Sequence, residues 1–263
     1  MAPLGLILEL IKANNNSIYF SNLNAKVKYI LIEYNFINSN LHKNDINQNY
    51  IQYNTFNSND FDSFKIYINK QFNEIENLEI VNDLKTVFHE IFVNVSMHSK
   101  VITSYKNDKQ IFTSGYYTPS LKYVSFSLAN KGVSFYDNIH NKIGKNFDNE
   151  GEYINWALRQ GNSTRTDTRG GIGLFMLKEI IDSSYGTLSI ISGKGYYGYH
   201  HNDKLNSHKL TITEMGNKFP GSVIMATIPL TNLAYKSTIS EKINKFRNNN
   251  KKISLSAKDL LNI

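Results

Sequence analysis

Apolar positions recur at helical spacing in four stretches of the main part of this chain, near 63–74, 79–98, 151–159 and 172–184. Period-two alternation with β-branched and aromatic residues predicts strands near 111–117, 122–129, 187–192, 208–214 and 222–229. Ahead of these, Leu4 to Ile11 reads as an apolar helix, Ser17 to Phe20 as a short strand and Leu23 to Tyr34 as a second helix. The stretch from Leu41 to Asp62 is polar and Asn-rich with no clear period, which suits a link; a strand at Tyr50 to Tyr53 is the one element it could hold. The order of elements implies an α/β fold: a two-layer sandwich with a mixed, mostly antiparallel sheet, helices on one face and a small N-terminal α/β piece.

Two segments break the pattern of a plain core. Residues 86–100 place Glu90, Asn94 and His98 at i, i+4 and i+8, one stripe of a helix. Val87, Phe88, Ile91, Phe92, Val95 and Met97 supply the apolar remainder of that helix. Buried without partners, carboxylate, amide and imidazole would each cost several kcal/mol. The stripe therefore faces either solvent or a polar ligand. A carboxylate beside an amide suits a general base next to an oxygen ligand for Mg²⁺.

At 161–178, Gly170, Gly171 and Gly173 precede the helical run Leu174, Phe175, Leu177, Ile180 and Ile181. Glycines at a helix entrance admit close approach to the backbone, where free N–H groups attract anions. Arg165 and Arg169 flank them, and Ser163 and Thr164 add hydroxyls suited to phosphate oxygens.

Taken together and in this order, the two segments resemble the Bergerat-fold ATPase superfamily of gyrase, the heat-shock chaperone ATPase, histidine kinases and the MutL repair protein. The resemblance covers roughly residues 60–230 and rests on four boxes in order. It implies that Glu90 is the catalytic carboxylate, that Asn94 holds Mg²⁺ and that His98 lies close to the nucleotide. Gly171-Ile172-Gly173-Leu174 looks like the glycine box closing an ATP lid, and Tyr185-Gly186-Thr187-Leu188 matches the strand after the lid helix. Pro220-Gly221-Ser222 resembles the last box, usually Gly-Thr. The first glycine box, Asp-x-Gly-x-Gly in the family, reads Asn130-Lys131-Gly132-Val133-Ser134 here. An Asn oxygen still accepts from the adenine amino group, though without charge, and Ser134 narrows the backbone freedom of the turn.

The N-terminal run and Lys26 to Phe36 resemble the later half of a STAS-type domain. The division that follows is 1–45 as a partial STAS-like segment, 46–60 as linker, 61–230 as the histidine-kinase-like ATP-binding domain and 231–263 as a basic tail. The alternative for the N-terminal segment is a helical decoration packed on the ATPase domain.

Charge and composition change the picture in two places. Of the chain's net +7, seven cations against two anions from Thr231 onward contribute +5. Such a tail suits a solvated helix or a docking surface for an acidic partner; nucleic acid is the lesser reading, since no nucleic-acid motif accompanies the charge. There are no cysteines, which excludes disulfides and thiolate metal sites, and the N-terminal apolar run is too short to span a membrane. A cytoplasmic protein is expected.

The expected function is Mg²⁺-dependent ATP binding by a regulatory protein with a protein partner, as substrate or regulated effector; a homodimer is a further option. Two forms fit: a Ser/Thr kinase of the anti-sigma type, or an ATP-gated switch. A third, from another class, is a degenerate, non-hydrolysing interaction module, motivated by Asn130 and Ser134.

Overall fold

The structure is a computed structural model that describes residues 1–37, 49–73, 75, 79–99, 109–164, 171–202 and 207–231. In chain order the elements are helices α1 (Ala2–Ala13) and α2 (Ala25–Glu33), strand β1 (Tyr50–Phe56), helices α3 (Phe61–Asn73) and α4 (Glu79–Ser99), and strands β2 (Ile111–Thr118) and β3 (Tyr123–Asn130). Helices α5 (Phe135–Ile143), α6 (Glu150–Ala157) and α7 (Gly173–Ser184) follow, then strands β4 (Thr187–Asn202) and β5 (Ser207–Pro229). The strands form one sheet in the order β1-β2-β3-β5-β4, and each neighbouring pair is antiparallel. The fold is the expected α/β sandwich.

Alternation along the strands decides which side each residue serves. Val124, Phe126 and Leu128 of β3, Leu188 and Ile190 of β4, and Ile224, Ala226 and Ile228 of β5 face the helix layer and share one core with α3, α4, α6 and α7. In α4 the stripe Val87, Phe88, Ile91 and Phe92 is buried. Phe88 lies 4.2 Å from Phe126 between ring centroids, and Phe92 stacks on Phe64 of α3 at 4.1 Å. Each such pair adds about 0.5–1.5 kcal/mol beyond area burial, enough to fix the roll of α4 about its axis.

The opposite face carries Phe112, Ala129 and Val223, which sit against Ala2 and Leu6 of α1. The N-terminal helix is therefore packed on the sheet, its first turn anchored by the Ala2 N–H donating to Ser114 Oγ at 2.9 Å. Gly5 makes room there, since a Cβ would meet the Tyr53 hydroxyl oxygen at 2.4 Å and its ring at 2.6 Å.

Several expectations change in detail. The strand expected at Ser17 to Phe20 is irregular chain, with Tyr19 85% exposed and, among the described residues, no strand paired with it. The strand expected at Tyr50 to Tyr53 runs on to Phe56 and pairs with β2, so the stretch read as a link supplies an edge strand. The strands expected at 208–214 and 222–229 are one, β5, interrupted opposite Gly193, where Gly193 pairs with Phe219 and Gly195 with Glu214. Helix α5 was not anticipated. Among the described residues no helix is long and apolar enough to cross a membrane. The basic tail beyond Thr231 lies outside the described residues.

Candidate functional site

At one end of the sheet, three adjacent strands present polar residues in register toward the helix layer. Asn130 of β3 pairs with Ser222 of β5, which pairs with Ser192 of β4. The Ser192 and Ser222 hydroxyls are 2.7 Å apart, both buried, and the Phe135 N–H donates to Ser192 Oγ at 2.9 Å. Asn130 is 2% exposed, and its Nδ2 donates to the Lys131 carbonyl at 3.2 Å. Gly221 makes this row possible. A Cβ there would stand 1.9 Å from the Asn130 carbonyl oxygen, and its φ of +136° suits glycine.

Above this floor opens a pocket walled by Ile91, Asn94 and Val95 of α4, Phe135, Asn138 and Ile139 of α5, Trp156 of α6 and Leu174 of α7, with Asn162, Ser163, Thr164 and Gly171 at its rim. The space is about 90 Å³, well below the roughly 300–1,000 Å³ of a typical small-molecule site. Among the described residues the lining carries no charged side chain. Apolar walls with amide and hydroxyl groups at the floor match a flat heterocycle with a hydrogen-bonding edge, because a neutral polar edge meets neutral partners without desolvating an ion.

Ser134 has a structural role of its own. It is the N-cap of α5, with φ −71° and ψ 166°, and its Oγ accepts from the Asp137 N–H at 3.0 Å in a reciprocal capping box. Gly144, left-handed at φ +70°, ends the helix. Burial works to raise the Asp137 pKa, but the hydrogen bonds from Ser134 and the Lys218 ammonium 3.2 Å away outweigh it, and the net shift is downward. Ser134→Ala should cost about 1 kcal/mol of stability and Ser134→Gly only a few tenths. Thermal melts of the two variants check this, and equal losses would show that the cap does not hold α5.

The rim is closed by backbone contact. Asn162 donates from Nδ2 to the Trp156 carbonyl at 2.7 Å, and Gly171 lies so close that a Cβ would fall 2.0 Å from the Asn162 carbonyl oxygen. The chain thus leaves near Asn162 and re-enters at Gly171 in one place. Thr164 Oγ1 accepts from Asn138 Nδ2 at 3.0 Å, tying the rim to α5. The N-cap of α7, Ile172, provides no side-chain hydrogen bond to its first turn.

Of the residues singled out from sequence, Asn94, Asn130, Ser163, Thr164, Gly171, Leu174 and Ser222 meet in this pocket. Gly132 lies in the turn between β3 and α5 and does not line it. Glu90 is exposed on α4, one turn before Asn94, outside the lining. Gly173 also packs against α4: a Cβ on it would fall 2.9 Å from Glu90 Cβ, so it lets α7 cross α4 closely. The side chain of His98, and Arg165, Arg169 and Gly170, lie outside the described residues.

Sequence reading missed Phe135, Asn138 and Ile139 because α5 is short and weakly apolar. The signal was present in Ser134-x-x-Asp137 followed by Gly144, a start and a stop. It also passed over Trp156, whose only mark in sequence is that it is the chain's single tryptophan. Compared with family models and with curated proteins, the chain matches none.

Proposed function

We propose that this chain is a regulatory protein that binds an adenine nucleotide with Mg²⁺, of the histidine-kinase-like ATPase type. One observation carries the reading: seven residues chosen from four separate sequence segments line one pocket. The base would lie over Asn130 and Ser222, and the phosphates would leave past Ser163, Thr164 and the first turn of α7. The donor set suits Mg²⁺ in a limited way. Asn94 offers an amide oxygen on the pocket wall, and Mg²⁺ is commonly held by one or two protein oxygens plus phosphates and water. When bound, the ion would neutralise charge on the phosphates; Asn94 would position it.

Glu90, exposed next to this wall, is placed to take a proton from a hydroxyl or water arriving from outside. That favours phosphoryl transfer to a partner's Ser or Thr, or an ATP-gated switch with slow hydrolysis. A non-hydrolysing interaction module is the second reading, supported by the uncharged floor at Asn130.

Trp156 in the pocket wall supplies a direct readout. Addition of ATP and Mg²⁺ should change its fluorescence saturably, and calorimetry should give a matching affinity. Asn94→Ala should weaken binding and abolish its Mg²⁺ dependence. No response to millimolar ATP would discard the nucleotide assignment, and a preference for GTP would discredit the role of Asn130.

A further inference from the structure

Away from the pocket, the outer half of the β4–β5 ribbon lies against the C-terminal half of α7. His201 and His208 stand directly opposite each other in this ribbon, their ring centroids 5.1 Å apart at an interplanar angle of 66°. His208 Nδ1 lies 3.2 Å from Asp182 Oδ1 of α7, and the Tyr199 hydroxyl donates to the same carboxylate oxygen. The ring of Tyr199 stacks on His208 at 4.3 Å, that of Tyr185 lies 4.5 Å from His201, and Lys178 Nζ sits 4.6 Å from the Tyr199 centroid.

The arrangement assigns a tautomer. With Asp182 accepting from Nδ1–H, the lone pair of neutral His208 is on Nε2. That atom is buried without a hydrogen-bond partner, on a side chain only 9% exposed. Leaving a buried acceptor without a partner is unfavourable, and a bound cation would remove that penalty.

We propose that the cross-strand pair His201–His208, oriented by Asp182, binds a borderline transition-metal dication such as Zn²⁺. The spacing fits. Two imidazoles on one tetrahedral ion, with metal–nitrogen distances of about 2.0–2.1 Å, have centroids about 5 Å apart. A carboxylate behind the ligating imidazole is the usual orienting partner for such a ligand. Imidazole nitrogen selects Zn²⁺, Ni²⁺ or Cu²⁺ over Mg²⁺. Among the described residues no group of three or more His, Cys, Asp or Glu side chains is arranged to hold a metal, so water completes the coordination. The ion would bolt the β4–β5 ribbon to α7, whose first turn reaches the pocket described above. The site is independent of the nucleotide reading.

Titration of the tag-free chain with ZnCl₂ by calorimetry, paired with thermal melts, tests it. One equivalent should bind at pH 7.5 and raise the melting temperature. His201→Gln and His208→Gln should each abolish this, Asp182→Asn should weaken it roughly 10–100-fold, and His140→Gln should change nothing. Affinity should fall at pH 5, where protons compete for imidazole. Should the histidine variants fail to fold, the exposed Asp182 variant and the pH arm still decide. No saturable binding by the wild type, binding undiminished in Asp182→Asn, or affinity equal at pH 5 and 7.5 would overturn the assignment.

Discussion

Replacing Glu90 by alanine should leave ATP affinity intact while slowing turnover roughly 10²–10⁴-fold, the usual contribution of a positioned general base. The separation of the two effects follows from where the side chain sits. Glu90 is exposed and does not line the pocket, so its loss removes no contact with a bound base. It nevertheless stands one helical turn from Asn94, which does line the pocket, and α7 crosses at its Cβ through Gly173. A carboxylate there can reach a hydroxyl presented from outside without being displaced by the nucleotide. Under the proposed nucleotide reading, Asn94→Ala should weaken binding and turnover together, since it would remove a ligand of the ion that neutralises developing charge. Glu90→Gln, which keeps shape and loses basicity, should match the alanine variant. Turnover unchanged in Glu90→Ala would remove this carboxylate from the mechanism. Detectable ATP binding with neither hydrolysis nor labelling of a partner would select the switch.

Gly221→Ala is expected to be the most damaging small substitution in the pocket floor. Its Cβ would sit 1.9 Å from the Asn130 carbonyl oxygen, a backbone atom held in the β3–β5 ladder, and its φ of +136° is one that side chains rarely adopt. Strain of about 1–3 kcal/mol from the backbone and a similar amount from overpacking give a loss of roughly 3 kcal/mol or more. At about 2–4 °C per kcal/mol for a chain of this size, the melting temperature should fall by roughly 6–12 °C. Displacing the Asn130–Ser222 pair should also weaken nucleotide binding in whatever fraction remains folded. A variant that melts like the wild type would mean that the close approach at Gly221 is not part of the folded structure.

How much of the site could be read from sequence depended on the kind of signal each residue leaves. Glu90 and Asn94 were visible because a polar stripe on an otherwise apolar helix violates the ordinary pattern. Gly171, Leu174 and the Ser163-Thr164 pair were visible because glycines and hydroxyls cluster before an apolar run. Phe135, Ile139 and Trp156 were not, since apolar residues at a pocket wall look the same in sequence as those in a core; only the direction they face differs.

By itself the sequence determined the α/β class, the four long helices of the main part and the core strands of the sheet, because apolar periodicity records which face of each element is buried. It also marked out most of the polar pocket residues. Tertiary structure alone decided three things. The row Asn130, Ser222 and Ser192 comes from strand register, which depends on pairing between residues some 30 to 90 positions apart. The separation of Glu90 from the pocket that Asn94 lines is axial: the two share one stripe of α4 a turn apart, and α7 crosses at the Glu90 turn through Gly173 while the pocket opens at the Asn94 turn. The meeting of His201, His208 and Asp182 requires a ribbon to fold back on α7, and nothing local to any of the three specifies it. Local patterns report which residues a segment wants buried; partners distant in sequence determine what it is buried against.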